Sequence, residues 1–112
     1  MNNQVFMIGR LTKDPELKKT ETGKNATKIT LAVPRSYKNV NGEYETDFFD
    51  CWLWSGVAES TTEYCKKGDL VGLKGRLQTR KYETEDEKVR QVTEVIGEKV
   101  TFLSSRHKEA EW

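Results

Sequence analysis

Apolar and polar residues alternate at every second position over much of this chain. The pattern is clearest in residues 27–33, where Ile29, Leu31 and Val33 fall on one side of the repeat. Side chains of a β-strand point alternately to opposite faces, so a period of two predicts strands with one buried face. The same pattern predicts further strands at residues 4–11, 46–54, 70–82 and 88–103.

Residues 56–67 break this period and fit a short helix instead. Ser55 is the expected N-cap, because its hydroxyl can accept a hydrogen bond from a free backbone N–H of the first turn. Gly68 is the expected stop signal at the other end. The expected buried stripe of the helix consists of Val57, Thr61, Tyr64 and Cys65.

Turn-forming residues separate the predicted strands. Pro15 and residues 18–25 predict a turn region between the first two strands. Pro34 is expected to end the second strand, because proline has no N–H to offer a sheet. Asn41 and Gly42 favour the positive φ angles of a tight hairpin before the third strand.

The resulting order is three strands, a helix and two strands. The last two strands flank a charged tip at residues 83–87, and the fifth is expected to be broken near Gly97. Five strands with a helix between the third and fourth is the arrangement of an OB-fold, a five-stranded Greek-key barrel. The length of 112 residues fits one such domain, predicted over residues 1–103, followed by a short polar tail over residues 104–112.

The composition excludes several classes of protein. No apolar run approaches the roughly 18 residues of a membrane span, and residues 1–8 are too short and too polar for a secretory signal. The default expectation is therefore a cytoplasmic protein. Cys51 and Cys65 are expected to be free, buried thiols, since two cysteines do not make a disulfide framework.

The sequence offers little for an enzyme. His107 is the only histidine and lies in the predicted tail, so the chain lacks the four ligands of a structural zinc site. A nucleophilic Cys–His pair would require that histidine to fold back onto the barrel. Gly72 and Gly75 interrupt a strand and do not form a phosphate-binding loop. We expect no catalytic residues, no metal and no cofactor.

The third predicted strand carries aromatic rings on both faces. Phe49, Cys51 and Leu53 share the face that suits a barrel interior. The opposite face carries Phe48, Asp50, Trp52 and Trp54. A carboxylate is costly to bury unpaired, so Asp50 indicates that this second face is wet.

The fourth strand and the end of the second strand add cations to this pattern. Arg76, Gln78, Arg80 and Tyr82 share one face of the fourth strand, opposite Val71, Leu73 and Leu77. Tyr37 follows the second strand between Arg35 and Lys38, on a face that Pro34 leaves undetermined. Rings interleaved with Arg and Lys favour single-stranded nucleic acid, because unpaired bases stack on rings and cations neutralise phosphates.

The same residues also suit purely structural roles. Trp52 and Trp54 fit a core or a subunit interface, and Arg80 and Lys81 fit a solvated hairpin stem. The net charge of +1 conceals segments of opposite sign: +5 over residues 1–40, −5 over 41–60, +4 over 61–82 and −3 over 83–112. If the fold joins the basic segments, a positive face results, and otherwise the surface is mixed.

Several motifs resemble the bacterial-type single-stranded DNA-binding proteins, and they keep their order and spacing over about residues 1–103. The opening run is QVFMIGRLTKDPEL at residues 4–17. The later motifs are ITLAV at 29–33, LW at 53–54 with AE at 58–59, KGDLV at 67–71, GRLQTRKY at 75–82 and VTEV at 92–95. Together these motifs are specific, although each alone is weak.

The resemblance implies an OB-fold that assembles as a homotetramer, with single-stranded DNA wrapped over the subunits by base stacking and phosphate contacts. It implies roles in replication, recombination, repair or DNA uptake, and association of the protein with the nucleoid. The stacking residues that it implies are Tyr37, Phe48, Trp54 and Tyr82, with Trp52 as a further candidate. The expected phosphate contacts are Arg10, Lys13, Arg35, Lys38, Arg76, Arg80 and Lys81.

The sequence departs from the family pattern in three ways. Asp50 places a negative charge on the presumed DNA face, and the tip at residues 83–87 is acidic. The third departure is the C-terminus, where the family's long flexible tail with an acidic tip is not seen. We therefore expect recruitment of replication and repair enzymes by such a tail to be absent, as in short paralogues or versions on mobile elements, unless the sequence is a piece of a longer protein.

One alternative function shares the same fold. An OB-fold hosts many ligands, so a replication-restart accessory protein or an RNA-binding module is also consistent with the strand order. The full set of four aromatic residues at the family's positions favours single-stranded DNA.

Overall fold

A computed structural model describes residues 1–104, and residues 105–112, which make up most of the predicted tail and include His107, lie outside the described part. The elements in chain order are β1 (Val5–Leu11), β2 (Lys18–Lys19), β3 (Asn25–Lys38), β4 (Tyr44–Trp54), α1 (Ser55–Tyr64), β5 (Leu70–Glu83) and β6 (Val89–Ser104). In residues 1–104 no helix is long and apolar enough to span a membrane.

The strands close into a barrel. The sheet has the order β1-β5-β6-β4-β3-β2, and a further pairing between β1 and β3 joins its ends. The register Arg10–Ala32 and Leu11–Leu31 makes this closure. β2 only extends the edge of β3, so the barrel itself has five strands, and the predicted OB-fold with its β-β-β-α-β-β order is confirmed.

The core lies where the alternation predicts it. Within the closed barrel the inward side chains of β3, β4 and β5 are almost fully buried, and α1 packs against them through Ala58 and Thr61. The largest buried apolar side chains are Ile29, Leu31, Leu53, Val71 and Leu73. The predicted free, buried thiols are also confirmed, since Cys51 and Cys65 are unpaired and buried.

The predicted ends of the helix are wrong, whereas its buried stripe is confirmed at Val57, Thr61 and Cys65 and wrong only at Tyr64. Trp54, in an extended conformation with φ −129°, precedes the helix, and no side chain caps its first turn. Ser55 is the first helical residue and has a φ of 51°. The helix ends at Tyr64 because Cys65 returns to an extended φ of −112°. Tyr64 is 63% exposed, whereas Ala58 takes a buried position instead.

Two turn predictions need correction. Pro34 does not end its strand, because β1 pairs β3 only as far as Ala32 and so leaves Pro34 at an edge, where a missing N–H is tolerated. The ladder becomes irregular only after Pro34. The predicted turn region at residues 18–25 contains the short strand β2, which pairs with the start of β3. The predicted hairpin is confirmed, and Gly42 has the expected positive φ of 78°, but Asn41 does not have a positive φ.

The last strand is bulged and not broken. Lys74 pairs with Lys99 and the next residue, Gly75, pairs with Gly97, so Glu98 is an extra residue in β6. Such a bulge bends a strand without ending it. β5 and β6 therefore remain paired from the barrel out to Glu83 and form a long hairpin, which we call the β5–β6 arm.

Candidate nucleic-acid interface

The outer face of β4 carries large rings opposite small residues. Trp54 pairs with Ala26 and Phe48 pairs with Ala32 across the β3–β4 ladder. Directly opposite side chains approach to about 5 Å, so a methyl group on one strand leaves the ring on the other uncovered. Phe48 is 65% exposed and Trp54 is 37% exposed, although a buried aromatic face is the usual outcome for rings of this size.

Trp52 lies between these two rings and is partly covered. Its ring stacks on that of Trp54, with centroids 6.1 Å apart and an angle of 21° between the planes. The Nζ atom of Lys28, its partner across the ladder, lies 5.9 Å from the Trp52 centroid. Trp52 therefore supports the Trp54 ring and holds a cation near it.

A basic cleft opens beside Trp52, with a volume of about 400 Å³. Lys18 and Lys19 of β2 line it together with Lys28, and Lys13 from the loop after β1 reaches the same space. Asp14 and Glu16 also line it, so four lysines face two carboxylates. Of these four lysines only Lys13 is among the phosphate contacts expected from the sequence. Lys28 was detectable from its outward position in the alternating strand, but Lys18 and Lys19 lie in a segment that shows only turn signals.

Asp50 is held in place on the same outer face. The Thr30 hydroxyl donates a hydrogen bond to Oδ1 at 2.7 Å, and Lys28 Nζ lies 3.5 Å from Oδ2. The hydrogen bond from Thr30 is the main cause that lowers the pKa of the Asp50 carboxyl; burial opposes it, and the charge of Lys28 lowers the pKa further. The carboxylate is therefore ionised at neutral pH, and Lys28 offsets part of its charge.

The β3–β4 hairpin carries Tyr37, which is exposed. Next to it, Arg35 makes two hydrogen bonds of 3.0 Å to Asp47 and one of 2.6 Å to Glu45. The hydrogen bonds from Arg35 lower the pKa of Asp47, and the same bonds raise the pKa of the guanidinium. Arg35 is thus already paired with carboxylates where the sequence suggests a phosphate contact.

The β5–β6 arm shows the same pairing. Arg80 Nε lies 2.7 Å from Glu94 Oε1, and its guanidinium sits 5.8 Å from the ring of the exposed Tyr82. Arg76 contacts Glu98 at 3.2 Å. These two arginines are therefore balanced by acidic residues of β6, and Tyr82 lies farther along the arm than either.

The remaining expected phosphate contacts differ in their partners. Arg10 donates a hydrogen bond to the Gly68 carbonyl at 2.8 Å, which ties β1 to the loop before β5. Lys38 lies 5.6 Å from the ring of Tyr44. No carboxylate of residues 1–104 forms an ion pair with Lys13, Lys38 or Lys81. These lysines can meet a phosphate without giving up a salt bridge.

A second groove lies between β4 and the β5–β6 arm, and we call it the side groove. β4 pairs with β6 only through Cys51–Val95 and Trp52–Ile96. Beyond these pairs the strands separate and leave a space of about 460 Å³. The residues that line it include Phe48, Phe49, Asp50, Trp52, Leu77 and Arg80.

The structure thus divides the predicted site residues into three places. Phe48, Trp52 and Trp54 share one face of β4, Tyr37 lies on the β3–β4 hairpin, and Tyr82 lies on the β5–β6 arm. Among residues 1–104 no group of three His, Cys, Asp or Glu side chains is placed to hold a metal ion.

Comparison with known proteins agrees with this geometry. The chain matches the single-strand binding protein family over residues 2–103. It is 50% identical to "Single-stranded DNA-binding protein B" of Bacillus subtilis, over 97% of this chain and 96% of that protein. It is 47% identical to "Single-stranded DNA-binding protein 1" of Clostridium acetobutylicum, over 93% of this chain and 96% of that protein.

Other relatives are longer. "Single-stranded DNA-binding protein" of Bacillus cereus is 50% identical over 96% of this chain, but the chain spans only 63% of its length. All three relatives are named as binding proteins and not as enzymes, which agrees with the non-enzymatic function expected from the sequence. The match over nearly the whole chain and the five-stranded barrel together show that the chain belongs to the single-strand binding protein family.

Proposed function

We propose that the protein binds single-stranded DNA with little sequence preference and coats it during replication, recombination, repair or DNA uptake. The observation that carries this proposal is the outer face of β4, where Phe48 and Trp54 are exposed opposite alanines. Exposed rings on a sheet suit unpaired bases, and each stacked base contributes about 1–3 kcal/mol. Duplex DNA keeps its base faces covered and gains nothing from such rings.

We assign stacking to Phe48 and Trp54 on β4, to Tyr37 and Tyr82 on the two hairpins, and a supporting role to Trp52. The lysines of the basic cleft extend the expected phosphate contacts beyond Arg10, Lys13, Arg35, Lys38, Arg76, Arg80 and Lys81. Because Arg35, Arg76 and Arg80 already pair with carboxylates, they gain less from a phosphate than the unpaired lysines do. We therefore infer that lysines supply most of the salt-dependent affinity.

We further propose that the binding domain is the barrel of residues 1–103 and that it works as a homotetramer associated with the nucleoid. Support for self-association comes from the outer face of β1, a strand that is not adjacent to β4 in the barrel. Phe6 is 69% exposed there, and Ile8 and Leu103 are exposed beside it. Clustered apolar side chains of this kind are typical of surfaces that another protein covers.

A fluorescence titration tests the binding proposal. Tryptophan emission should be quenched when oligothymidylate is added, and a duplex of equal length should bind much more weakly. Trp54→Ala and Tyr82→Ala should each reduce the binding free energy by about 1–3 kcal/mol. In a salt series, the logarithm of the binding constant should fall with a slope of about −0.7 per phosphate neutralised.

Tyr64→Ala is a control variant, because Tyr64 is more exposed than Trp54 or Tyr82 but lies on α1, where its ring contacts Phe102. This variant should bind oligothymidylate like the wild type. Equal affinity for duplex and single strand would rule out the proposal, and a preference for an RNA oligonucleotide over DNA of the same sequence would favour an RNA-binding module instead.

A further inference from the structure

Asp50 lies in the side groove between two of the rings on β4. Alternate residues of a strand share a face and lie about 7 Å apart, so Phe48 and Trp52 flank the carboxylate along the strand. More than half of the Asp50 side chain is exposed. A base that stacks on either ring from the side groove therefore turns one of its polar edges toward this carboxylate.

The carboxylate is oriented and ready to accept hydrogen bonds. The contacts with Thr30 and Lys28 fix both oxygens, and they occupy only part of the roughly four lone-pair sites of an ionised carboxylate. An ionised carboxylate cannot donate a hydrogen bond. It therefore attracts N–H groups of a base edge and repels carbonyl oxygens and ring nitrogens that carry lone pairs.

The four bases differ in what they offer to such an acceptor. Guanine presents an N1–H and a 2-amino group side by side, which matches the two oxygens of a carboxylate. Cytosine and adenine present one amino group next to an acceptor nitrogen. Thymine presents a single N3–H between two carbonyl oxygens. The Asp50 carboxylate therefore favours guanine most and thymine least.

We propose that the side groove is a base subsite and that Asp50 makes it selective for guanine. This inference rests on the proposed function, and it adds a base preference to a surface that otherwise binds by stacking. The groove has space for a base, with about 460 Å³ between its walls. Lys28 and Arg80 line the same groove, but each is paired with a carboxylate of the lining, Asp50 and Glu94 respectively, so the subsite depends on stacking and on hydrogen bonds to the base edge.

Titrations with four oligonucleotides of equal length test the preference. One is oligothymidylate, and in the other three every second base is 7-deazaguanine, 7-deazaadenine or 7-deazahypoxanthine. The deaza purines cannot form quadruplexes, and hypoxanthine is guanine without its 2-amino group. The guanine strand should bind at least about five-fold more tightly than the adenine and hypoxanthine strands, which is the lower end of what a bidentate contact provides.

Asp50→Asn removes the charge while keeping the size of the side chain. Oligothymidylate should bind to this variant more tightly than to the wild type. The preference for the guanine strand over the adenine and hypoxanthine strands should disappear. Glu85→Gln is the matched control, since it removes the same charge at the tip of the β5–β6 arm, and it should keep the preference.

The outcomes separate this inference from the proposed function. Equal affinity of the wild type for the guanine, adenine and hypoxanthine strands overturns the guanine subsite, even if every strand binds well. A guanine preference that survives in Asp50→Asn also overturns it. Failure to bind any of the four strands overturns the proposed function itself. The wild-type series decides the question even if the variant does not fold.

Discussion

Single residues on the β3–β4 ladder decide which rings of β4 are exposed. Ala26 and Ala32 leave Trp54 and Phe48 open, whereas the longer Lys28 reaches over Trp52. The choice of small or long residues on β3 therefore matters as much for the interface as the aromatic residues themselves. The alternation in the sequence gives the face of each ring, but its partner across the ladder follows only from the register.

Cys51 lies on the inner face of the same strand, directly behind this surface. Its side chain is fully buried, and burial, aided by the nearby charge of Asp50, raises the pKa of the thiol to about 12. Burial, with a contribution from Asp69, raises the pKa of Cys65 to about 11. Both thiols are therefore protonated at neutral pH and function as packing residues.

The raised pKa values of the two thiols predict a loss of stability in alkali. In the unfolded chain a thiol ionises near its ordinary value of 9.0, whereas in the folded protein it stays protonated to about 11 or 12. The stability they contribute is complete below pH 9.0 and is lost as the pH rises toward the folded values. At about pH 10 each thiol should lower the free energy of unfolding by about 1 kcal/mol relative to neutral pH.

Urea unfolding at about pH 8 and about pH 10 measures this loss. Cys51→Ala and Cys65→Ala each begin from a lower stability because of the cavity, but each should lose less than the wild type between the two pH values. Other groups titrate equally in all three proteins and cancel in the comparison. An identical alkaline loss in wild type and variants would contradict the prediction.

At the scale of elements, the strands are longer than the barrel that they build. Phe49 and Leu77 belong to the inward faces of β4 and β5 by alternation, yet both are exposed. They lie where these strands extend beyond the closed barrel and line the side groove. Alternation predicts which face a residue shares, but the point at which a barrel ends depends on contacts between distant strands.

The sequence therefore predicts the strand order and the ring-bearing face of β4 correctly, because both depend on local patterns. It does not predict the side groove, which forms because β4 pairs with β6 at only two positions. It also misses the role of β2, since Lys18 and Lys19 become part of the basic cleft only through pairing with the start of β3.

Gly75 allows β5 and β6 to approach at the bulge. A Cβ atom at Gly75 would overlap the carbonyl oxygen of Ile96, and backbone cannot move aside as a flexible side chain can. Gly75→Ala should therefore lower the free energy of unfolding by about 1–3 kcal/mol or more, the usual range for overpacking. Thermal and urea unfolding would measure the change.

Gly56→Ala, on α1, is the control for Gly75→Ala. A Cβ atom at Gly56 meets nothing within 4 Å, and alanine is the better helix former. This variant should be unchanged or more stable by up to about 1 kcal/mol. If the two variants had the same stability, the close approach of β5 and β6 would not be the reason for glycine at position 75.

At the scale of the whole molecule, opposite charges that are separate in the sequence become neighbours. The acidic segment at residues 41–60 lies against the basic β3, where Asp47 pairs with Arg35 and Asp50 with Lys28. Lysines are in excess over carboxylates in the lining of the basic cleft, whereas Arg35, Arg76 and Arg80 are each paired with a carboxylate. A nearly neutral protein can in this way offer phosphates a local site.

The surface around β1 has the opposite character. Phe6 and Ile8 point outward from β1, and Gly72 on β5 lies between the side chains of Phe6 and Leu103 without covering either. The result is an apolar area on a strand that pairs with β5 from Val5 to Arg10 but with β3 only at Arg10 and Leu11. A second subunit that covered this area would bury Phe6 and Ile8.

Light scattering of the wild type and Phe6→Glu tests this arrangement. At micromolar concentration the wild type should have about four times the chain mass of 13.0 kDa, whereas Phe6→Glu should have a lower mass because a charge in a covered apolar area is costly. A short oligothymidylate should still quench the tryptophan emission of the variant, since the β4 face is unchanged.

Val40→Glu, at a fully exposed hairpin tip, is the control and should remain a tetramer. A monomeric wild type would refute the tetramer, and a tetrameric Phe6→Glu would place the subunit contact elsewhere.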